Sequence, residues 1–222
     1  FGLTSSTGPF DYLSFSFLQD DGDVGGLNSM DVDQGHFFQE SYAAVWIDYN
    51  NDGFLDVVAV TSANNSPTMV LTSHGTTMER SFPKQLPLSA SFVTIGDVEG
   101  DNEPDLFFVV PETVDGRQAT VMICSWKSIL DSWFCPPGIA ASIVFPVSRS
   151  SPAKIAVLDI DDDGADDVIT SDGSKWRNTR QDFVRFKRMN SNTLGRAFSG
   201  ISFGDVNQDS LTELVTCGPS DI

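Results

Sequence analysis

The sequence predicts an all-β fold, a β-propeller assembled from four-stranded antiparallel blades. Three observations carry that prediction. A nine-residue pattern of oxygen-bearing side chains occurs four times, starting at 48, 97, 159 and 205. An apolar run enters each copy and another leaves it. Repeats of roughly 40–50 residues containing several strands each are the signature of propeller blades, and longer gaps absorb insertions.

The pattern is clearest in Asp48-Tyr49-Asn50-Asn51-Asp52-Gly53-Phe54-Leu55-Asp56. Oxygen-bearing side chains stand at positions one, three, five and nine. Asp97, Glu99, Asp101 and Asp105 repeat it, as do Asp159, Asp161, Asp163 and Asp167, and then Asp205, Asn207, Asp209 and Glu213. A chain wrapped around a small hard cation turns alternate residues inward, and Ca²⁺ takes about 6–8 oxygens. Position seven (Phe54, Glu103, Ala165, Leu211) would offer its backbone carbonyl, so its identity is free to vary. The bend before it needs positive φ, which suits Gly53 and Gly164, is tolerable for Asn102 and suits Ser210 least. Oxygen-only ligands favour Ca²⁺, Mg²⁺ or Mn²⁺ over zinc or copper, and a flexible carboxylate-rich loop leans toward Ca²⁺. An EF-hand would need a bidentate Glu at the twelfth position. That position holds Ala59, Phe108, Thr170 and Thr216, and the flanks read as strands rather than helices.

In chain order, residues 1–41 read as a half-blade. Leu13, Phe15 and Phe17 alternate as in a strand, Gly22 to Gly35 form an acidic solvated loop, and His36-Phe37-Phe38 start an outer strand. A blade at 42–90 follows: Ala43 to Ile47 enters the first loop, Val57 to Val60 leaves it, and Met69–Thr72 and Glu79–Phe82 complete it. Entering and leaving runs that are apolar on both faces predict strands buried on both sides. The blade at 91–150 has Phe92 to Ile95, Leu106 to Val110 and Thr120 to Cys124, then an insertion. There Trp126, Ile129, Leu130 and Trp133 fall at i, i+3, i+4 and i+7, which predicts a short helix. Its aromatic stripe fits local core or a binding face. Cys124 and Cys135 could staple its ends, leaving Cys217 over. The blade at 151–198 enters by Ile155–Leu158 and leaves by Val168–Thr170. Its outer strands carry Arg177, Arg180, Arg185, Lys187 and Arg188, either a solvated edge or a contact for an acidic partner. A partial blade at 199–222 carries the fourth loop.

Composition bounds the function. The formal net charge is −18 and hydrophobic content is 40%. Such acidity argues against nucleic acid and anionic membrane surfaces as partners. Much of it lies in the four loops, where bound cations would offset it. No apolar run approaches the ~20 residues that span a bilayer. The sequence opens at Phe1 without a leader pattern, as expected of a mature, trimmed or partial chain. Cation loops, a candidate disulfide and the sequon Asn64-Asn65-Ser66 together favour the extracellular side.

The stretch Asp48 to Asp56 and its three echoes resemble the FG-GAP/VCBS repeats of integrin-α-like calcium-binding β-propellers, over roughly residues 42–222. The first and third loops match the motif fully; the second departs at Asn102 and the fourth at Ser210 and Glu213. The resemblance implies that each cation loop joins the first two strands of a blade. It also implies up to four Ca²⁺ and a ring usually of seven blades, larger than this chain. A fragment of such a ring is one expectation. A ring of four, closed by the halves at 1–41 and 199–222, is the other.

The function expected is a non-enzymatic extracellular or cell-surface scaffold or adhesion module. It would dock a protein or glycan partner, or other chains of a larger assembly, on a propeller face. A carbohydrate-binding propeller is the alternative, with Trp126, Trp133 and Trp176 as candidates and Trp46 discounted because its strand reads as buried. A propeller appended to a secreted hydrolase or lyase is a third. Little encourages an enzyme: His36 and His74 stand far apart, no nucleophile elbow occurs, and the carboxylates in register are assigned to cations.

Overall fold

A computed structural model describes residues 16–17, 28–29, 41–61, 67–74, 78–87, 89–112, 118–127, 130, 132–135, 143–147, 153–181, 185–189, 200–204 and 213–217. Among the described residues every regular element is a β-strand. Strands β1 (Ser16–Phe17) and β2 (Asn28–Ser29) pair with each other. The rest of the expected half-blade, including Leu13, Phe15 and His36 to Phe38, lies outside the described residues, as does the sequon at Asn64.

Three sequential antiparallel sheets follow. The first is β3 (Ser41–Ile47), β4 (Asp56–Thr61), β5 (Met69–Ser73) and β6 (Met78–Ser81), in that order. The second is β7 (Phe92–Gly96), β8 (Asp105–Glu112), β9 (Gln118–Lys127) and β10 (Ser132–Phe134), with β11 (Val144–Pro146) also on β9. The third is β12 (Ile155–Leu158), β13 (Asp167–Thr170), β14 (Lys175–Asn178) and β15 (Phe186–Arg188). A further hairpin joins β16 (Gly200–Gly204) to β17 (Glu213–Cys217).

One register recurs. The residue before each acidic loop pairs with its ninth position: Ile47 with Asp56, Gly96 with Asp105, Leu158 with Asp167 and Gly204 with Glu213. Each first hairpin therefore spans the same number of loop residues. A one-residue slip would invert every side chain beyond it, so this agreement gives the four hairpins one strand register.

The sheets stack face to face. Side chains alternate sides along a strand, and β8 uses both. Leu106 and Phe108 pack with Ile47, Val58, Val60 and Val70 of the first sheet. Phe107 and Val109 pack with Ile155, Val168 and Trp176 of the third. All four of these β8 side chains are completely buried, and each such burial is worth about 1.5–3 kcal/mol. The first strands of successive sheets, β3, β7 and β12, also touch, so neighbouring sheets lie side by side like blades.

Two expectations change. In the first three sheets the strands that leave the loops are buried on both faces, but β3 and β7, which enter them, are not. Trp46 is 38% and Ile95 41% exposed. β3, β7 and β12 are the edge strands of their sheets, and an edge strand keeps part of its surface uncovered. Trp46 is thus a surface aromatic, not the buried one its apolar neighbours suggested. The second change is in the insertion, which is a hairpin rather than a helix. Trp126 pairs directly with Trp133 across β9 and β10, the rings meeting edge-on at 5.8 Å, and Leu130 sits in the turn, 61% exposed. A tight hairpin sets i opposite i+7 just as two helical turns do, so spacing alone could not separate them. Cys124 and Cys135 form a disulfide at the base of this hairpin.

Candidate metal centres

The first three acidic loops share one backbone path, and their own carboxylates build it. The carboxylate at position one accepts from the amides of positions five and six in every case. Asp48 takes Asp52 N (3.0 Å) and Gly53 N (2.8 Å). Asp97 takes Asp101 N (3.2 Å) and Asn102 N (2.7 Å), and Gly100 N besides. Asp159 takes Asp163 N (3.1 Å) and Gly164 N (2.7 Å). Position five then accepts from position seven: Asp52 from Phe54 N, Asp101 from Glu103 N and Asp163 from Ala165 N, at 2.9, 2.9 and 3.0 Å.

Position six is left-handed as the sequence required, with φ of 87° at Gly53, 65° at Asn102 and 84° at Gly164. Position four is left-handed too, at Asn51 (57°), Gly100 (72°) and Asp162 (57°). Sequence reasoning missed this second bend. Its signal was present, because Asn, Gly and Asp are the types that visit this region.

The ninth position behaves differently from the others. Asp56, Asp105 and Asp167 are at most 4% exposed. Each accepts from the amide of loop position two: Tyr49 N at 2.9 Å, Val98 N at 2.7 Å and Ile160 N at 3.1 Å. Each also accepts from the end of the third strand of its sheet. Ser73 N donates at 2.7 Å and Asn178 N at 2.6 Å, and the Ser125 hydroxyl is the counterpart donor to Asp105. Burial pushes all three carboxyls upward, Asp105 to about 6, against these hydrogen bonds. Two outer acids go the other way. The Phe54 amide and then the Asn50 side chain hold Asp52 low, and at Asp159 backbone amides outweigh a desolvation that pulls upward.

The first and second loops are also tied to the following sheet through the carbonyl of position two. Trp133 Nε1 donates to Tyr49 O at 2.8 Å, its ring stacked on Tyr49 at 5.5 Å. Asn178 Nδ2 donates to Val98 O at 2.8 Å. The second and third loops exchange two further bonds: Asp97 N to Asp166 Oδ2 (2.7 Å) and Asp166 N to Asp97 O (2.8 Å). A Cβ on Gly100 would lie 2.6 Å from Gly164 O, so only glycine lets these loops approach.

The loops differ in how well they suit a divalent ion. In the third, one carboxylate oxygen each from Asp159, Asp161 and Asp167 lies within 4.8 Å of the others. Carboxylate oxygens are among the donors of which Ca²⁺ takes about 6–8. Asp161 also meets Arg177 Nε, and Asp163 meets Arg177 (3.9 Å) and Arg180 (3.3 Å). Both arginines are about half exposed. In the first loop Asn50 Nδ2 donates to Asp52 Oδ2 at 2.8 Å, and Phe54 is 51% exposed. In the second, Glu99 is held by Lys127 and Arg185. Asp205, Asn207, Asp209 and Leu211 lie outside the described residues; Glu213 opens β17.

The basic cluster is therefore neither a plain solvated edge nor wholly a free surface, since Arg177, Arg180 and Arg185 reach back onto the acidic loops. Arg188 lies against Trp176 and bonds Ser174 Oγ. Of the candidate sugar-stacking tryptophans, Trp133 and Trp176 are buried.

No helix among the described residues is long and apolar enough to cross a membrane. Residues 40–108, covering the first sheet, β7 and the start of β8, match the family model for an FG-GAP-like repeat. No curated protein matches the chain.

Proposed function

We propose, from the match of residues 40–108 to an FG-GAP-like repeat, that the chain is an FG-GAP repeat protein acting as a non-enzymatic, calcium-stabilised β-propeller module. It would act outside the cell or at its surface, presenting a rigid face to a protein or glycan partner. The observation that carries the calcium part is the convergence of Asp159, Asp161 and Asp167 in the third loop. Those three carboxylates, with Asp163 and the Ala165 carbonyl, are the groups that would hold the ion. When bound, Ca²⁺ would supply the positive charge that lets several carboxylates share one turn.

The residues themselves do the remaining work. Asp159 and Asp163 fold the loop by accepting its amides, so the ligand side chains are oriented by the backbone they shape. Asp167 fixes the loop to β14 through Asn178. Order imposed on the loop is thereby passed to the sheet, and a partner docking on loops held this way meets a preorganised surface.

Thermal unfolding in millimolar calcium and in EGTA tests this. Calcium at a hundred times its dissociation constant should add about 2.7 kcal/mol per site, and Asp161→Asn should remove part of that gain. An unfolding temperature that is the same in calcium and in chelator would refute the calcium reading.

A further inference from the structure

We propose that the second loop does not take a divalent ion, and that Lys127 and Arg185 occupy the electrostatic role a metal has elsewhere in the repeat. The inference rests on the calcium reading for the other loops, and it departs from the equivalence of the four motifs in sequence.

Glu99 stands at position three, where a ligand is expected. Its two oxygens instead accept from Lys127 Nζ, at 3.0 and 2.9 Å. Arg185 Nη1 lies 3.6 Å from the same carboxylate. Lys127 ends β9 of the same sheet, whereas Arg185 precedes β15 of the next one. Glu99 therefore joins two sheets.

Burial makes this arrangement firm. The Arg185 side chain is 13% exposed, and its Nε is buried without a hydrogen-bond partner. A guanidinium held that far from water needs a counter-charge nearby, and Glu99 supplies it. Drawing Glu99 onto a divalent ion would strip Arg185 of that charge. It would also set the ion beside two fixed positive groups. The third loop differs on each point. Its arginines are about half exposed and can swing into solvent, and its three carboxylate oxygens already converge. The second loop shows no such convergence among the described residues.

Two measurements on the full chain decide the matter. The first counts bound calcium by equilibrium dialysis for the unaltered protein, Asp161→Asn and Glu99→Gln. The expected result is one ion lost from Asp161→Asn and none from Glu99→Gln. An ion lost from Glu99→Gln overturns the proposal. The second is a double-mutant cycle between Glu99→Gln and Lys127→Met, followed by thermal unfolding in EGTA. Each single change should lower the unfolding temperature by several degrees, and the double change by less than their sum. Additive losses overturn the proposal. Lys127→Arg, which keeps the charge, should stay near the unaltered value if Lys127→Met proves too unstable to purify. A protein that binds no calcium at all would sink the broader reading. The cycle in chelator would still decide whether Lys127 and Glu99 form the bridge.

Discussion

At the scale of single residues, acids that look alike in the motif divide into two kinds. Positions one and five shape the turn with exposed or half-buried carboxylates, whereas position nine is a buried fastener between the turn and the third strand. Asp167 makes the distinction testable. It accepts from both Ile160 N and Asn178 N, and Asp167→Asn would leave one of those buried amides facing a donor. A buried donor without a partner costs about 1–3 kcal/mol, so urea unfolding in EGTA should show that loss with no calcium present. A role limited to metal ligation would show no loss under chelator. The motif could reveal that position nine carries an oxygen, but not what it faces. Its partner lies seventeen residues on in the first sheet and eleven in the third, a variable separation that no fixed-spacing pattern captures. Position four was legible in principle, through the Asn, Gly and Asp that occupy it, because left-handed backbone filters residue type.

At the scale of elements, the first two strands of each unit were the most legible. An apolar run, a nine-residue acidic turn and a second apolar run specify a hairpin whose register the structure repeats four times. Outer strands were placed to within a few residues, since their half-polar sequences say little about where pairing stops. The insertion misled because the spacing of Trp126 and Trp133 serves a helix and a hairpin equally. Its disulfide has an energetic consequence. Joining Cys124 to Cys135, eleven positions apart, restricts the unfolded chain by about 2–4 kcal/mol. Reduction, or Cys124→Ala with Cys135→Ala, should lower stability by that amount in denaturant unfolding. The hairpin also delivers Trp133 to Tyr49 O, so the bond should matter to the first sheet as well as the second. Hydrogen exchange at the amides of the Asp48 loop should quicken on reduction; unchanged protection there would show that the hairpin is energetically separate.

Across the whole molecule, one strand carries two seams. Phe107 and Phe108 are neighbours in sequence and completely buried, yet they serve opposite faces of the second sheet. Truncating either to alanine should cost about 3–5 kcal/mol, and the accelerated exchange should fall in the third sheet for Phe107→Ala and in the first for Phe108→Ala. Protection lost equally on both sides in each variant would mean that the stack opens as one unit. Gly96 lies on the same seam. A Cβ there would run into Val157 Cγ1 and stand 2.8 Å from Asp166 Oδ2, so the second and third sheets approach only because that side chain is absent. The loops, for their part, are not finished by their own sheets. Tyr49 O waits for Trp133, and Val98 O for Asn178, each borne on a later stretch of the polypeptide. As a ribosome releases the chain from its amino end, each of these two acidic turns emerges with one carbonyl still unclaimed. Assembly must therefore trail synthesis by a sheet, and a gene truncated between two sheets would yield a product whose final turn stays open.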